Sequence, residues 1–168
     1  YVSETGSFSL YRHDPANPSS LAANGVNCIF EDFFGAIWVG TENGLSKREP
    51  DVPGFINYRH DLHYPYSLKE NNITCIYRDR AGILWIGSYG GGVHKFDYRK
   101  QRFVTHTRLP DTENTLSNKM VYAFAHEGKH IIWIGTDEGL NRFNRATGTY
   151  THFLHEPGNR ESINSNRI

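Results

Sequence analysis

Trp38-Val39-Gly40-Thr41, Trp85-Ile86-Gly87-Ser88 and Trp133-Ile134-Gly135-Thr136 are three copies of one stretch, and they contain every tryptophan of the chain. The copies start 47 and then 48 residues apart. Spacing that regular over so long an interval marks duplicated structural units packed side by side. Working outward from the tryptophans, Phe8, Phe55, Phe103 and Tyr150 fall into register. So do Leu21, Leu68, Leu116 and Ile163, and Val26, Ile73, Val121 and Ile168. The run from Tyr1 to Val26 matches Phe143 to Ile168, with Thr5-Gly6 against Thr147-Gly148, so the chain holds three whole units and about half of another.

Each unit reads as four short strands. Val26 to Phe30 alternates apolar and polar residues and ends in turn chemistry at Glu31-Asp32-Phe33-Phe34-Gly35. A second strand, Ala36 to Thr41, carries the tryptophan. Asn43-Gly44 then signals a tight hairpin, since both residue types tolerate positive φ. Third and fourth strands are expected from Leu45 to Arg48 and from Phe55 to Arg59, followed by a polar linker, His60 to Asn72. Its Ser67-Leu68, matching Ser20-Leu21 and Thr115-Leu116, reads as an apolar plug pinning the connection.

Four antiparallel strands and a longer return connection, repeated at this period, are the pattern of β-propeller blades. The expected fold is therefore all-β, a partial propeller of about three and a half blades. Residues 1–25 form the end of a preceding blade and its linker. Residues 26–72, 73–120 and 121–166 form three blades with linkers, and 167–168 start the next. Packed blades call for a large flat side chain in the second strand and a glycine beside it where backbones approach. Trp38, Trp85 and Trp133 with Gly40, Gly87 and Gly135 meet that need and are assigned to packing. Propellers close with about four to eight blades, so each open end is expected to expose about 300 Å² of apolar-rich sheet face, near the limit for a soluble monomer. Further blades of a parent chain, or a second copy giving about seven blades in all, would cover it.

Eighteen basic residues balance eighteen acidic ones, which removes the basic footprint of a nucleic-acid binder. The apolar runs are too short for a membrane span, and the N-terminus has no signal-like segment. Cys28 and Cys75 occupy one repeat position and are read as small core residues rather than a disulfide. His13, His60 and His155 also share a repeat position, which the blade rotation spreads around the ring, so no metal site and no cofactor is expected.

The pattern Ser67-Leu68, Asn72-Ile73-Thr74-Cys75-Ile76, Asp79-Arg80-Ala81-Gly82-Ile83-Leu84-Trp85-Ile86-Gly87-Ser88 and Gly91-Gly92-Val93 resembles the two-component regulator propeller repeat. The third unit departs from it, with Glu127 for the turn aspartate and His130 for the turn glycine, so its first hairpin is expected to differ. The resemblance implies a piece of the periplasmic or extracellular sensor region of a hybrid two-component system whose histidine kinase is not in this chain. It also implies a non-catalytic module that senses oligosaccharides released from glycans. A fragment of a propeller lyase or glycosidase, and a purely architectural or dimerising propeller, are the alternatives.

Asp32 and Asp79 suggest the Asp-box of sialidase-type propellers but with different spacing, and are read as turn caps. No facing carboxylate pair for glycoside hydrolysis is located. Function is better sought where one unit departs from the others. Tyr64 and Tyr66 replace Asn17 and Ser19, or Thr112 and Asn114, and the hairpin Tyr89-Gly90-Gly91 is one residue longer than its equivalents. Linker and second hairpin share a rim in a propeller, so these three tyrosines are candidates for stacking on sugar rings. Lys119 and Arg167, near the same rim, are candidates for a carboxylate or sulfate on the sugar.

Overall fold

The computed structural model describes residues 6–98 and 102–168; the expected register of residues 1–5 lies outside them. Among the described residues, twelve strands form three four-stranded antiparallel sheets, each with its strands in chain order. The first blade comprises β1 (Val26–Glu31), β2 (Ile37–Thr41), β3 (Gly44–Arg48) and β4 (Ile56–Tyr58). The second comprises β5 (Ile73–Arg78), β6 (Leu84–Ser88), β7 (Gly92–Asp97) and β8 (Arg102–His106). The third comprises β9 (Val121–Glu127), β10 (Ile131–Thr136), β11 (Gly139–Asn144) and β12 (Thr149–Phe153). The fold is a partial propeller, and the strand limits fall within a residue of those expected in the first blade.

Trp38 and Trp85 each face the following blade. Trp38 is 0% exposed and packs on Phe96 and Tyr98 of the second blade as well as on Tyr58 of its own. Trp85, 2% exposed, meets Phe143 of the third. The neighbouring glycines are where the next blade's innermost strand nests. A β-carbon on Gly40 would lie 2.7 Å from Ile73, and one on Gly87 would lie 2.8 Å from Val121 and 2.5 Å from the Cys75 sulfur. Trp-x-Gly is thus a large ring and a gap that together seat one blade on the next. Gly87→Ala should lower stability by about 1–3 kcal/mol, read from the shift in urea midpoint. Gly135→Ala, whose added carbon comes no nearer than 3.0 Å to its closest neighbour, Ile168, should cost clearly less. Equal costs would refute this role for the glycine.

The turn aspartates do more than cap. One oxygen of Asp32 accepts the N–H groups of Phe34 and Ala36 at 2.9 and 3.0 Å. The other accepts the Trp38 indole at 2.8 Å and the hydroxyl of Tyr98, from the next blade, at 3.4 Å. Asp79 repeats the arrangement with Ala81, Ile83 and Trp85, and takes Arg145 of the third blade as its cross-blade donor. A buried carboxylate is tolerated here because each of its oxygens is hydrogen-bonded.

The linkers are tied in the same way each time. Ser20, Ser67, Thr115 and Ser162 accept across their loops from the N–H groups of Asp14, Asp61, Leu109 and Glu156, and Leu21, Leu68 and Leu116, which follow the first three, are buried. The repeated histidines close these loops, with His13, His60 and His155 bonding the carbonyls of Leu21, Leu68 and Ile163. Cys28 and Cys75 are free thiols in the packed inner strands, pushed up by burial to about 11 and about 12.

Two expectations are revised, and the expected departure of the third blade's first hairpin is observed. Trp133 is only half-buried, because its face is the one the next blade would cover; it contacts Phe153 and Arg142 of its own sheet. The first-blade hairpin turns on Glu42-Asn43, with Thr41 paired to Gly44, and only Gly44 has positive φ. The Thr41 hydroxyl stabilises that turn by accepting from Asn43 N–H and donating to Gly44 C=O, so Asn43 has no need of a left-handed conformation. In the third blade, β9 and β10 run on to pair Glu127 with Ile131, closing the hairpin with three residues where the first blade uses five between Glu31 and Ile37.

Candidate functional site

Hairpins after the second strand sit at the start of the following blade. Gly44, Tyr89 and Gly139 donate their N–H groups to Asn71, Asn72 and Asn166, and Gly90 and Gly92 both bond the carbonyl of Lys119. The ends of the linkers and these hairpins therefore meet at one rim, which Tyr89, Lys119 and Arg167 border. Of the five candidate binding residues, Tyr64 and Tyr66 lie instead along the outer strand of the second blade, where Phe103 N–H meets the Tyr66 carbonyl.

They fall into two groups. Tyr64 and Tyr66 meet edge to face at 6.0 Å and line a groove of about 640 Å³ with Tyr58, His60, His63 and Phe103. The backbone fixes them: Ser67 N–H bonds the Tyr64 carbonyl at 2.9 Å, and Phe103 N–H bonds the Tyr66 carbonyl at 3.0 Å. A repeat-related groove beside the third blade, about 860 Å³ and lined by Thr112, has the same position without the tyrosines. The groove belongs to the repeat, and the paired linker tyrosines in its lining belong to one blade.

Tyr89 is not part of that lining. Its ring lies 6.4 Å from that of Tyr122 on β9, and the Arg167 guanidinium sits over the other ring of the pair, 5.5 Å from the Tyr122 centroid. Asp137 joins them, 3.6 Å from Arg167 and accepting the Tyr122 hydroxyl at 3.4 Å. Burial, reinforced by the Asp137 carboxylate, pushes the Tyr122 phenol up, so it stays a hydrogen-bond donor. Lys119 borders the cluster through its backbone bonds to the Tyr89 hairpin. Sequence reasoning missed Tyr122, although the signal was of the kind it used: Asn27 and Thr74 hold the same position in the other blades.

A serine hydroxyl lies 3.0 Å from an imidazole at Ser88 and His94, and Thr105 holds the other ring nitrogen at 3.1 Å. Ser88 and His94 are both fully buried, and burial holds the imidazole down at about 3, so the pair neither reaches a substrate nor serves as a base near neutral pH. Asp32 and Asp79 are committed to their turns and indoles.

The two-component regulator propeller family matches residues 20–43 and 67–90, the Ser-Leu to hairpin segments of the first two units. These two segments are thus similar to two-component regulator propeller repeats. In these repeats the matched residues are the linker plug, the inner strand, the aspartate turn and the Trp-x-Gly seam. The chain is similar to the extracellular domain of a hybrid two-component system from B. thetaiotaomicron, 25% identical over 88% of this chain and 20% of that one, with a TM-score of 0.77. The extracellular domain of a one-component system from the same organism shares the fold at 21% identity over 88% and 26% of the two chains, TM-score 0.52. Virginiamycin B lyase from Staphylococcus aureus shares it at 15% identity over 78% and 41%, TM-score 0.54. The chain spans about a fifth of the length of the first of these structures. No curated protein sequence matches it.

Proposed function

We propose that this propeller segment is a non-catalytic part of the periplasmic or extracellular sensor of a two-component receptor, and that its Tyr89–Tyr122–Arg167–Asp137 cluster binds an oligosaccharide. The observation that carries the reading is the paired tyrosine rings with an arginine–aspartate pair at their edge, on a rim where one hairpin breaks the repeat. Aromatic faces take up the apolar faces of sugar rings, while the guanidinium and carboxylate hold hydroxyl groups or a sugar carboxylate. The receptor context rests on the repeat family and the 25%-identical extracellular domain. No helix among the described residues is long and apolar enough to cross a membrane. The Tyr64–Tyr66 groove is a second surface for the same ligand, and other blades or a second copy would cover the open ends.

Calorimetric titration against neutral, uronic and sulfated oligosaccharides, with analysis for products, tests the proposal. Binding without product is expected, weakened roughly tenfold or more by Tyr89→Ala with Tyr122→Ala. Unchanged affinity in that double variant rules out the cluster, and appearance of product rules out the non-catalytic reading.

A further inference from the structure

The rim opposite the tyrosines carries an aromatic pair that the repeat does not require. Between the first two strands the three units read Asp32-Phe33-Phe34-Gly35, Asp79-Arg80-Ala81-Gly82 and Glu127-Gly128-Lys129-His130, so only the first puts large apolar residues there. Phe33 and Phe34 are 79% and 72% exposed and meet edge to face at 5.9 Å. The turn does not depend on their side chains, since it is held by the Asp32 carboxylate and by Gly35 at φ 77. Two exposed phenylalanines on a turn of fixed geometry forgo the burial that normally favours such residues.

Their surroundings state what they suit. A groove of about 630 Å³ runs from the pair to Tyr98, Arg78 and Arg80. The Arg78 guanidinium lies 5.7 Å from the Phe33 ring, and Tyr98 lies 6.0 Å from that of Phe34. The lining carboxylate, Asp79, is buried and already engaged by Arg145 and Trp85. The groove therefore offers aromatic edges and positive charge. Two exposed Phe rings and the exposed Arg80, beside the half-buried Arg78 and Tyr98, have the composition of protein–protein hot spots, and the sign of the charge selects the partner.

We infer that Phe33, Phe34, Arg78, Arg80 and Tyr98 form a docking site for a polypeptide segment that presents an apolar side chain flanked by carboxylates. The apolar side chain lies against the two phenylalanines, and the carboxylates meet the two arginines. The site is independent of the oligosaccharide cluster, which occupies the other rim.

The test titrates the isotopically labelled chain with a blocked peptide, Glu-Leu-Glu-Phe-Glu, and with its Lys-Leu-Lys-Phe-Lys counterpart, following backbone amide shifts. The acidic peptide should move the amides of residues 32–35 and 78–82, and the basic one should not. Phe33→Ser with Phe34→Ser should weaken the acidic peptide about tenfold or more while leaving the melting curve in place. Arg78→Glu with Arg80→Glu should reverse the preference, so that the basic peptide now moves the same amides. Equal response to both peptides, no response in the millimolar range, a charge-reversed variant that still prefers the acidic peptide, or displacement by a sulfated oligosaccharide that moves the same amides would overturn the proposal.

Discussion

Trp85→Ala is expected to remove about 3–5 kcal/mol of stability, a large share of the 5–15 kcal/mol that a domain usually holds. The ring fills the seam between the second and third blades, packed in one cluster with Val93, Leu116, Val121, Ile132, Ile134 and Phe143. Its removal opens a cavity and also strips the Asp79 carboxylate of the indole donor at 2.7 Å. A buried acceptor left short of a partner adds to the transfer cost. The identical substitution at Trp133 should cost no more than about half as much, because that ring is half-buried and its indole bonds to the exposed Glu127 at 3.1 Å. Urea denaturation followed by circular dichroism measures both. Equal losses at the two positions would show that the ring serves its own sheet rather than the seam with the next blade.

That asymmetry marks where the sequence was and was not readable. The short apolar runs between turn signals and the fixed recurrence of Trp-x-Gly disclose the sheets, their order and the packing face, because stacked blades bury successive residues of the tryptophan-bearing strands. The Asp32 and Asp79 caps were legible for the same reason: a turn of fixed length needs an acceptor at a fixed place. Their reach to Tyr98 and Arg145 was not, since both partners lie 66 residues further along and are chemically unlike each other. Lateral relations between blades depend on blade rotation, which no local pattern encodes. Hence Tyr64 and Tyr66 were legible as departures from the repeat, while the partition that sets them in one group and Tyr89 with Tyr122 in another was not. Phe33 and Phe34 were read only as turn residues, because the turn tolerates any side chain there, and their meaning lies in the exposure.

Acidification should weaken the fold through His94. This imidazole replaces Ser46 and Asn141 of the neighbouring blades and is fully enclosed, with Ser88 and Thr105 on its two nitrogens. Burial first, then the positive charges of Lys69, His106 and His60, press its pKa from 6.5 down to about 3. The unfolded chain therefore takes up a proton near pH 6.5, while the folded chain declines one until about pH 3. Between those limits the unfolded state binds more protons, so stability falls as pH is lowered through this window, and it is unaffected by this group above it. The gap corresponds to on the order of 5 kcal/mol in full, and about 3 kcal/mol of it should be lost between pH 7 and pH 4. Carboxylates titrating in the same range add their own dependence, so the informative quantity is the difference between the wild type and His94→Asn. Asparagine is the residue that the third blade uses here, where Asn141 is fully buried and bonds the Ser117 hydroxyl at 2.8 Å. The variant should lose some stability at pH 7 through altered packing, yet its unfolding free energy should fall by about 3 kcal/mol less than the wild type's on going to pH 4. Parallel pH profiles for the two proteins would mean that His94 takes up its proton within the fold, and that the enclosure argued for it is wrong.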